Sequence, residues 1–542
     1  MTDLDFKEKT TNLIDSLKSI SANYGLGNDG NEFKIITQIF LYKFLNDKFA
    51  FELKKLDPKL QEANNWEETL KSYSEDEYEM LVMQLRADVA KLKPEHFISE
   101  LFSRQNESDF AKLLDDTLLD IAISNNDIFS VKTDGGAKVV LFERITQYIS
   151  DSGKRDDFAK AIINKLVGVN FEHIFNQKFD FYATIFEYLI KDYNTNSGGK
   201  YAEYFTPHAV AKIMAAILVN EPDQNVTVYD PSAGSGTLLM NIAHAIGESK
   251  CTIYSQDISQ KSSSLLRLNL VLNDLVHSIQ NIIQGNTISH PYHKDKGGNL
   301  EKFDYIVSNP PFKLDFSDYR DDLDSKENNE RFFAGIPKIR KKEKDKMAIY
   351  TLFLQHIMYS LSKKGKAAIV VPTGFITAQS GIDKKIREKM VESKMLAGVV
   401  RMPSNIFATT GTNVSIIFLD KSNNDKVVLI DASNLGETIK EGKNQKTVLT
   451  SYEEQQIIDT FNQKKVVDNF SVVVSYDEIK QKNYSLSAGQ YFEIKIEYVD
   501  ITTEEFEAKM KGFENNLSKL FSEGKELELE IMNNLNRLSY ES

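Results

Sequence analysis

The chain has 542 residues, which is enough for more than one domain and for a substantial hydrophobic core. Its formal charge of −13 argues against a protein that holds nucleic acid by itself, because such proteins carry a basic excess. The single cysteine, Cys251, excludes an internal disulfide and a cysteine-built zinc site. The polar N-terminus and the absence of long apolar runs predict a cytoplasmic protein with no membrane partner.

Residues 1–170 are predicted to form a helical N-terminal domain. Aromatic and aliphatic residues recur at helical spacing within Phe33–Phe49, and a second amphipathic stretch covers Tyr78–Leu92. Both patterns are typical of core-facing helices, and neither indicates chemistry. A further helix is predicted over Phe179–Tyr193, and a loop rich in Asn, Ser and Gly follows it at Asn194–Lys200.

Residues 195–435 alternate short apolar runs with helical runs. The predicted strands are Val226–Tyr229, Thr252–Ser255, Asn281–Gln284, Phe303–Ser308, Ala367–Val371, Leu396–Val400, Val414–Leu419 and Val427–Ile430. The predicted helices are Leu238–Ile246, Ser259–Asn273, Ala348–Leu361 and Ile382–Glu392. This alternation favours an α/β fold with a doubly wound, mostly parallel sheet.

The first of these strands runs into a glycine-rich turn, Asp230-Pro231-Ser232-Ala233-Gly234-Ser235-Gly236-Thr237. Strand, turn and helix form a nucleotide-type binding corner, where glycines admit a ligand and the helix start offers unpaired N–H groups. The turn lacks the G-x-G-x-x-G spacing and a following lysine, so a pyrophosphate ligand is not expected. Asp257 ends the next strand and suits the two hydroxyls of a ribose, and Asn286 follows the third and suits an adenine edge.

The strand Phe303–Ser308 ends in the tetrapeptide Asn309-Pro310-Pro311-Phe312. Its two prolines fix φ and remove two backbone donors, which leaves rigid carbonyls that only accept hydrogen bonds. Asn309 adds an amide oxygen, and Phe312 adds a flat apolar face. These groups fit a planar ring that carries an NH2 group, whose nitrogen two acceptors outside the ring plane would make pyramidal and nucleophilic. A proline-rich turn that only ends a strand is the alternative.

The third part, residues 436–542, shows little sheet pattern and ends in a charged helical run, Thr503–Leu538. Apolar residues recur in this run near heptad spacing, at Phe506, Met510, Phe513, Leu517, Leu520, Leu527, Ile531 and Leu535. Such a helix suits packing against a partner helix, and a helix folded back on its own domain is the alternative.

Together these motifs resemble those of S-adenosylmethionine-dependent methyltransferases that act on N6 of DNA adenine. The matching residues are Glu203, Tyr204, Phe205, Thr206, Pro207 and His208, the turn Asp230–Thr237, Asp257, Asn286 and Asn309–Phe312. The cofactor half precedes the catalytic half, which is similar to the gamma arrangement of these enzymes. More closely, the chain resembles the modification (M) subunit of type I restriction–modification systems, and that match extends to Phe33–Asp47, Arg401–Phe407 and Asn483–Ser487.

The resemblance implies a Rossmann-like methyltransferase domain at 195–435, an all-α N-terminal domain and a helical C-terminal tail. It implies S-adenosylmethionine as methyl donor and no metal. The implied catalytic residues are Asn309, Pro310, Pro311 and Phe312. The implied cofactor-binding residues are Glu203, Tyr204, Phe205, Thr206, Pro207, His208, Asp230, Gly234, Ser235, Gly236, Thr237, Asp257 and Asn286. For His208, a plain surface residue is favoured over a direct chemical role, and it is included because it falls inside the matching segment. Asn286 departs from the commoner Asp, although its amide oxygen can still accept a bond from the cofactor's adenine amine.

The resemblance also implies partners. These are double-stranded DNA with the target adenine flipped out, a DNA-specificity subunit shared by two copies of this chain, and a restriction subunit. A basic stretch after the tip suits a flipped strand or a solvated loop, and it comprises Arg331, Lys338, Arg340, Lys341, Lys342, Lys344 and Lys346. Three alternatives are a stand-alone adenine methyltransferase, an amino-methyltransferase acting on protein glutamine or RNA, and a catalytically silent scaffold. The short, plain stretch after the sheet argues against a stand-alone enzyme with its own recognition domain. The Phe of the tip and the long helical N-terminal part favour DNA over protein or RNA. The intact turn and tip argue against a silent scaffold.

Overall fold

The structure is a computed structural model that describes residues 3–27, 30–175, 188, 206–339, 342–407, 413–423, 426–441, 444–492 and 501–536. It separates into two units, Met1–Tyr491 and Phe492–Ser542. The helix predicted over Phe179–Tyr193 and the loop predicted over Asn194–Lys200 lie outside the described residues, apart from Tyr188. None of the described helices is both long enough and apolar enough to cross a bilayer.

The N-terminal region is built on helix α2, which runs from Gly30 to Leu56 and is buried over most of its length. Ile36, Ile39 and Phe40 have no exposed surface, since residues three and four apart share a helix face. The helices of this region are α1 (Asp3–Asn23), α2 (Gly30–Leu56), α3 (Pro58–Glu62), α4 (Trp66–Lys71), α5 (Glu75–Met83), α6 (Ile98–Ser103), α7 (Phe110–Ser124), α8 (Asn126–Phe129) and α9 (Arg155–Val167). The prediction of a helical N-terminal region is confirmed.

The first unit is organised around one large sheet. The strands are β1 (Val131–Thr133), β2 (Lys138–Val139), β3 (Val226–Asp230), β4 (Cys251–Asp257), β5 (Ile282–Gln284), β6 (Phe303–Ser308), β7 (Leu361–Pro372), β8 (Leu396–Arg401), β9 (Val414–Asp420), β10 (Val427–Asp431), β11 (Glu437–Glu441), β12 (Asn444–Val448) and β13 (Ser471–Val474). Eleven of these described strands form the sheet in the order β13-β10-β8-β9-β7-β6-β3-β4-β5-β1-β2, and β11 and β12 form a separate hairpin.

The centre of the sheet is parallel. β6, β3, β4 and β5 are parallel neighbours, and β7 continues the parallel part beside β6. β9 is antiparallel to both β7 and β8. The chain builds outward from β3 to β4 and β5, and then returns to the other side of β3 with β6. This reversal creates a crevice at the carboxyl ends of β3 and β6, which is where open α/β sheets bind ligands.

Helices alternate with these strands, as the sequence predicts. They are α10 (His208–Leu218), α11 (Thr237–Ile246), α12 (Gln260–Leu272), α13 (Arg320–Leu323), α14 (Tyr350–Ser360), α15 (Gly381–Glu392), α16 (Ser451–Asn462) and α17 (Tyr476–Gln481). Thr450 and Glu453 form a capping box that starts α16, and Ser475 and Glu478 do the same for α17. The prediction of an α/β fold with a mostly parallel sheet is confirmed.

Two short elements differ from the expectation that residues 1–170 are helical throughout. β1 and β2 form a hairpin around Asp134-Gly135-Gly136, and β1 pairs in parallel with β5. Strands of three and two residues carry too little alternation to be recognised, and only the Asp-Gly-Gly turn signals them. The hairpin extends the large sheet with residues from the N-terminal region.

The region beyond residue 435 also holds more strand than the sequence suggests. β13 pairs antiparallel with β10 at one end of the large sheet, and the β11–β12 hairpin lies between β10 and α16 in the chain. The second unit contains the described helix α18, Thr503–Asn536. Its apolar residues are exposed, with Phe506, Leu517 and Leu527 retaining 53%, 52% and 58% of their surface.

Candidate active site

A cavity of about 500 Å³ opens at the carboxyl ends of β3, β4 and β6, and its volume is typical of small-molecule sites. Residues from the predicted site line it, namely Thr206, Asp230, Gly234, Thr237, Asp257, Asn286, Asn309, Pro311 and Phe312. The glycine-rich turn and the Asn-Pro-Pro-Phe tip therefore open into one shared cavity, although they lie in separate parts of the chain.

The glycine-rich turn is shaped by Gly236, which has φ +88° and directly precedes helix α11. A Cβ at this position would lie 2.3 Å from Cδ1 of Leu266, so only glycine fits without movement of a neighbour. The Gly236 N–H donates to the Ala233 carbonyl at 2.8 Å, which closes the turn. Thr237 and Leu238 follow at the start of α11 and line the cavity, so the positive end of the helix faces a ligand there.

The carboxylate of Asp257 is held by backbone N–H groups. Its Oδ2 accepts a hydrogen bond from Gly234 at 2.9 Å, and its Oδ1 accepts one from Ser259 at 2.8 Å. Burial raises the pKa of Asp257 above its ordinary value, and the two backbone bonds oppose that rise. Each oxygen retains a second lone pair, so the group can also accept bonds from ligand hydroxyls.

Asp230 is a second carboxyl group at the cavity, and it is only 1% exposed. Its Oδ1 accepts a bond from the Ser232 N–H at 2.9 Å, and the hydroxyls of Ser232 and Ser308 are 2.7 Å apart beside it. Burial raises the pKa of Asp230 to about 8, with a further rise from the charge of Asp257. A cation bound in the cavity would lower this pKa again, because positive charge favours the ionised carboxylate.

The Asn-Pro-Pro-Phe tip follows β6 directly. Asn309 is half-buried, and its Nδ2 donates to Oγ1 of Thr206 at 3.2 Å. Pro310 is buried and is not part of the cavity lining, whereas Pro311 is exposed and lines it. The ring of Phe312 meets the ring of Tyr350 edge-on, with centroids 6.3 Å apart and an interplanar angle of 77°. The tip thus combines an amide with an aromatic wall at the mouth of the cavity.

Asn286 lines the cavity, but its amide oxygen does not have the role expected from the sequence. Its Oδ1 accepts bonds from the N–H groups of Ile288 at 3.0 Å and Ser289 at 3.3 Å. Only the oxygen end of an amide can accept from two donors, so this orientation is fixed. Burial raises the pKa of Tyr319 above its ordinary value, and a hydrogen bond donated by the Asn286 Nδ2 group to the Tyr319 hydroxyl opposes that rise. The side chain therefore caps a turn, and its amide oxygen is not available to an adenine amine.

The other predicted cofactor residues lie outside the lining. Ser235 is buried, its hydroxyl lies 3.2 Å from that of Thr237, and its carbonyl accepts a bond from Asn269 at 2.7 Å. Pro207 precedes α10 and accepts a bond from Ala211 at 3.1 Å. The Nδ1 atom of His208 is buried and has no hydrogen-bond partner within the described part of the chain. The remaining predicted residues, Glu203, Tyr204 and Phe205, lie outside the described residues.

The predicted basic stretch needs a correction at its first member. Arg331 is 3% exposed, and it donates to the carbonyls of Thr287 at 2.7 Å and Ile288 at 2.8 Å and to Nδ1 of His356 at 3.0 Å. It therefore ties the loop after β5 to α14 and has no surface role. The sequence shows that Arg331 is charged, but it does not show that buried acceptors surround the Arg331 side chain. Lys338, Lys342, Lys344 and Lys346 are exposed, and Arg340 and Lys341 lie outside the described residues.

Comparison with known proteins agrees with this geometry. A profile of the N-6 DNA methylase family matches residues 177–498, which is more than half of the chain. The chain belongs to this family. The family expected from the turn and the tip is thereby confirmed, and with it an adenine-specific DNA methyltransferase.

Named relatives of this methylase include two subunits of type I restriction enzymes. The MpnII methylase subunit of Mycoplasma pneumoniae is 27% identical over 387 residues, which cover 70% of this chain and 67% of that protein. The MjaIX methylase subunit of Methanocaldococcus jannaschii is 27% identical over 402 residues, with the same two coverages of 70% and 67%. The solved methyltransferase subunit of the type I restriction-modification system from Streptococcus thermophilus has a TM-score of 0.68 and 21% identity, and covers 91% of this chain and 100% of that chain. That structural likeness shows the fold.

Several aromatic residues of the methylase cavity are not apparent from the sequence. Tyr350 and Phe353 come from α14, Phe407 follows β8, and Tyr319 comes from the segment between β6 and α14. Phe407 belongs to the matched stretch Arg401–Phe407, which is the one signal that singles out any of them. The others carry no motif. Tyr350 and Phe353 lie in an apolar helix, where an aromatic residue is usually a core residue, and Tyr319 lies in a segment with no recognisable pattern.

Proposed function

We propose that the chain is the modification subunit of a type I restriction–modification system and that it methylates N6 of adenine in double-stranded DNA. One observation carries the proposal above all. The glycine-rich turn and the Asn309 tip, which would serve the cofactor and the base respectively, line one cavity. A family profile that matches the same region supports the same reaction.

The residues at the glycine-rich turn fit S-adenosylmethionine as the methyl donor. Gly236 shapes the turn by admitting Leu266 beside it, Gly234 lines the cavity, and Asp257 retains lone pairs for the ribose hydroxyls. Burial raises the pKa of both Asp230 and Asp257, and a cation bound beside them would favour their ionised forms, so the two carboxyl groups suit a sulfonium ligand. When bound, S-adenosylmethionine supplies an electrophilic methyl group on a sulfonium. Asp230, Gly234, Thr237 and Asp257 would hold it.

The tip would hold the substrate base. The target adenine must leave the duplex, because its N6 is engaged in pairing. The Asn309 amide oxygen would accept one N6 hydrogen, and the Pro310 carbonyl would accept the other, although Pro310 is not among the residues that line the cavity. These two bonds would make the nitrogen pyramidal and free its lone pair. Phe312 would stack on the ring, which is worth about 1–3 kcal/mol for base–aromatic contacts in general. These residues act by position and charge, and the proton that N6 loses on methylation would leave to water after the transfer.

The charge of the chain favours partners for DNA binding. With a formal charge of −13, the chain needs either a local basic surface or a second protein to hold DNA. Lys313 lies at the cavity, and Lys338, Lys342 and Lys344 are exposed on the segment between β6 and α14. These lysines would contact the phosphates beside the flipped base. A DNA-specificity subunit, shared by two copies of this chain, would supply the remaining contacts, and a restriction subunit would join the same complex.

Helix α18 would be the docking element for the specificity subunit. Its exposed apolar residues follow heptad spacing, at Phe506, Met510, Phe513, Leu517, Leu520, Leu527 and Ile531, with Gly524 in place of an apolar residue between Leu520 and Leu527. Glu outnumbers Lys on this helix by eight to four, counted over Thr503–Asn536. A partner helix with an apolar seam and basic flanks would match both features.

The test is methyl transfer to DNA by the purified chain with and without the specificity subunit of its own system. We expect the complex with the specificity subunit to transfer the labelled methyl group of S-adenosylmethionine to DNA. Mass spectrometry should identify the product as N6-methyladenine. Asn309→Ala should abolish transfer and leave cofactor binding nearly intact. Asn106→Ala, which changes an exposed residue of the N-terminal region, is the matched control. An Asn309→Ala complex with near-normal turnover would refute the assignment.

A further inference from the structure

Asn309 forms one side-chain hydrogen bond among the described residues, the bond from its Nδ2 to Oγ1 of Thr206 at 3.2 Å. Thr206 is 5% exposed and lines the same cavity. The two residues are 103 positions apart in the chain, so the fold alone brings them together. The sequence predicts Thr206 as part of the cofactor wall, whereas its hydroxyl is engaged with the amide of the tip.

The orientation of this amide decides whether the tip can work. The torsion that rotates a side-chain amide is broad and roughly two-fold, so packing selects weakly which end faces a ligand. An amide with its NH2 group toward N6 of adenine would set donor against donor. With Nδ2 bonded to Thr206, the opposite end of the Asn309 amide is the oxygen, and no donor from the described residues occupies it. That oxygen is the acceptor that the amine requires.

Thr206 is well placed to hold an orientation, because it stands at the start of a buried helix. It precedes Pro207, whose carbonyl accepts a bond from Ala211 in the first turn of α10. Val210, Ile213 and Met214 of that helix have no exposed surface. A hydroxyl attached to such an element moves less than one on a surface loop, so it can restrain the freely rotating amide.

We propose that Thr206 is a positioning residue, whose hydroxyl accepts the Asn309 N–H and turns the amide oxygen toward the amine of the substrate base. The inference rests on the proposed function, since it presupposes an amine-bearing base at the tip. Thr206 acts through Asn309 and does not touch the reacting atoms. A hydrogen bond of this kind corresponds to about a two- to twelvefold effect on the rate.

The test compares Thr206→Val, which keeps the shape and removes the hydroxyl, with Thr206→Ser, which keeps the hydroxyl. Each variant is assembled with the specificity subunit and given unmethylated duplex DNA that contains the recognition site. We expect Thr206→Val to lower the single-turnover rate of methyl transfer by about two- to twelvefold. The KM for DNA, the Kd for S-adenosylhomocysteine and the Tm should change little, and Thr206→Ser should restore the rate.

Thr10→Val is the matched control, because it removes a buried hydroxyl that bonds the Phe6 carbonyl at 2.9 Å in α1. Its rate should equal that of the unchanged protein. Two results would overturn the inference. They are an unchanged rate in Thr206→Val, with or without a raised Kd for S-adenosylhomocysteine, and a Thr206→Ser variant as slow as Thr206→Val. Failure of the proposed function looks different, because the unchanged complex would then form no N6-methyladenine, and both proposals would fall together.

Discussion

Substitution of Gly236 by Ala tests whether the glycine-rich turn is as tightly constrained as its geometry indicates. Two separate penalties apply at this position. The residue has φ +88°, and a left-handed backbone conformation costs a non-glycine residue roughly 1–2 kcal/mol. A Cβ would also lie 2.3 Å from Cδ1 of Leu266, and overpacking of this kind costs roughly 1–3 kcal/mol. The free energy of unfolding should therefore fall by about 2–5 kcal/mol in Gly236→Ala.

Gly298→Ala separates the two penalties. Gly298 has φ +82°, and a Cβ there would have no atom within 4 Å, so this variant carries the backbone penalty alone. Urea unfolding of both variants, followed by far-UV circular dichroism, gives the two losses from the shift in midpoint at an unchanged m-value. The Kd for S-adenosylhomocysteine should rise in Gly236→Ala and stay unchanged in Gly298→Ala.

A third variant, Leu266→Ala, tests the contact between Leu266 and the turn directly. Leu266 is 1% exposed, so Leu266→Ala alone should cost about 2–5 kcal/mol through lost packing. In the double variant Gly236→Ala/Leu266→Ala the clash disappears, so the combined loss should be smaller than the sum by about 1–3 kcal/mol. Equal losses in Gly236→Ala and Gly298→Ala, together with strict additivity in the double variant, would refute the claim that Leu266 restricts the turn.

Three further predictions concern charged groups. Burial raises the pKa of Asp230 to about 8, so the folded state keeps a proton that the unfolded state releases near pH 4. The Asp230 contribution to the free energy of unfolding should therefore fall as the pH rises from 4 to 8. Unfolding of the unchanged protein and of Asp230→Asn across this pH range checks this, and a constant difference between the two proteins would contradict it. Arg331→Met leaves three buried acceptors unpaired, so it should lower the free energy of unfolding, measured in urea, by about 3 kcal/mol or more. Arg320 is partly exposed, so Arg320→Met should lower it by under about 1 kcal/mol. Comparable losses in the two variants would contradict the structural role of the Arg331 hydrogen bonds. Lys342→Gln/Lys344→Gln should reduce the slope of log affinity for DNA against log salt by about 2. Lys363→Gln/Lys364→Gln, at the amino end of β7 and so away from the cavity, should leave the slope unchanged. Equal slopes in the two double variants would remove Lys342 and Lys344 from the DNA contact.

The sequence predicts the centre of the fold well because both faces of its strands are covered. The strand Phe303–Ser308 is predicted with the bounds that the structure has, since its apolar run is buried on both sides. The strands at the ends of the sheet fare worse. β1, β2 and β13 have three, two and four residues, so their place depends on pairing with distant partners and not on a local pattern.

The site shows the same limit at the level of single side chains. The turn and the tip are visible in sequence because glycine permits backbone conformations that other residues avoid, and proline fixes φ. The amide of Asn286 and the guanidinium of Arg331 are not, because their roles depend on backbone groups of Ile288 and Thr287 that sequence cannot position. The assignment of individual cofactor and catalytic residues stays a prediction until the variants are measured.

The guanidinium of Arg267 carries a practical consequence for dissecting this methylase. It belongs to α12 and is 5% exposed, and it donates to the carbonyls of Val139 and Val140 at 3.0 Å and to those of Phe129 and Leu141. A fragment cut at residue 170 would strip this buried cation of every one of those acceptors. The first 170 residues are thus no detachable module, and chimeras that exchange them between related enzymes should carry α12 along with them.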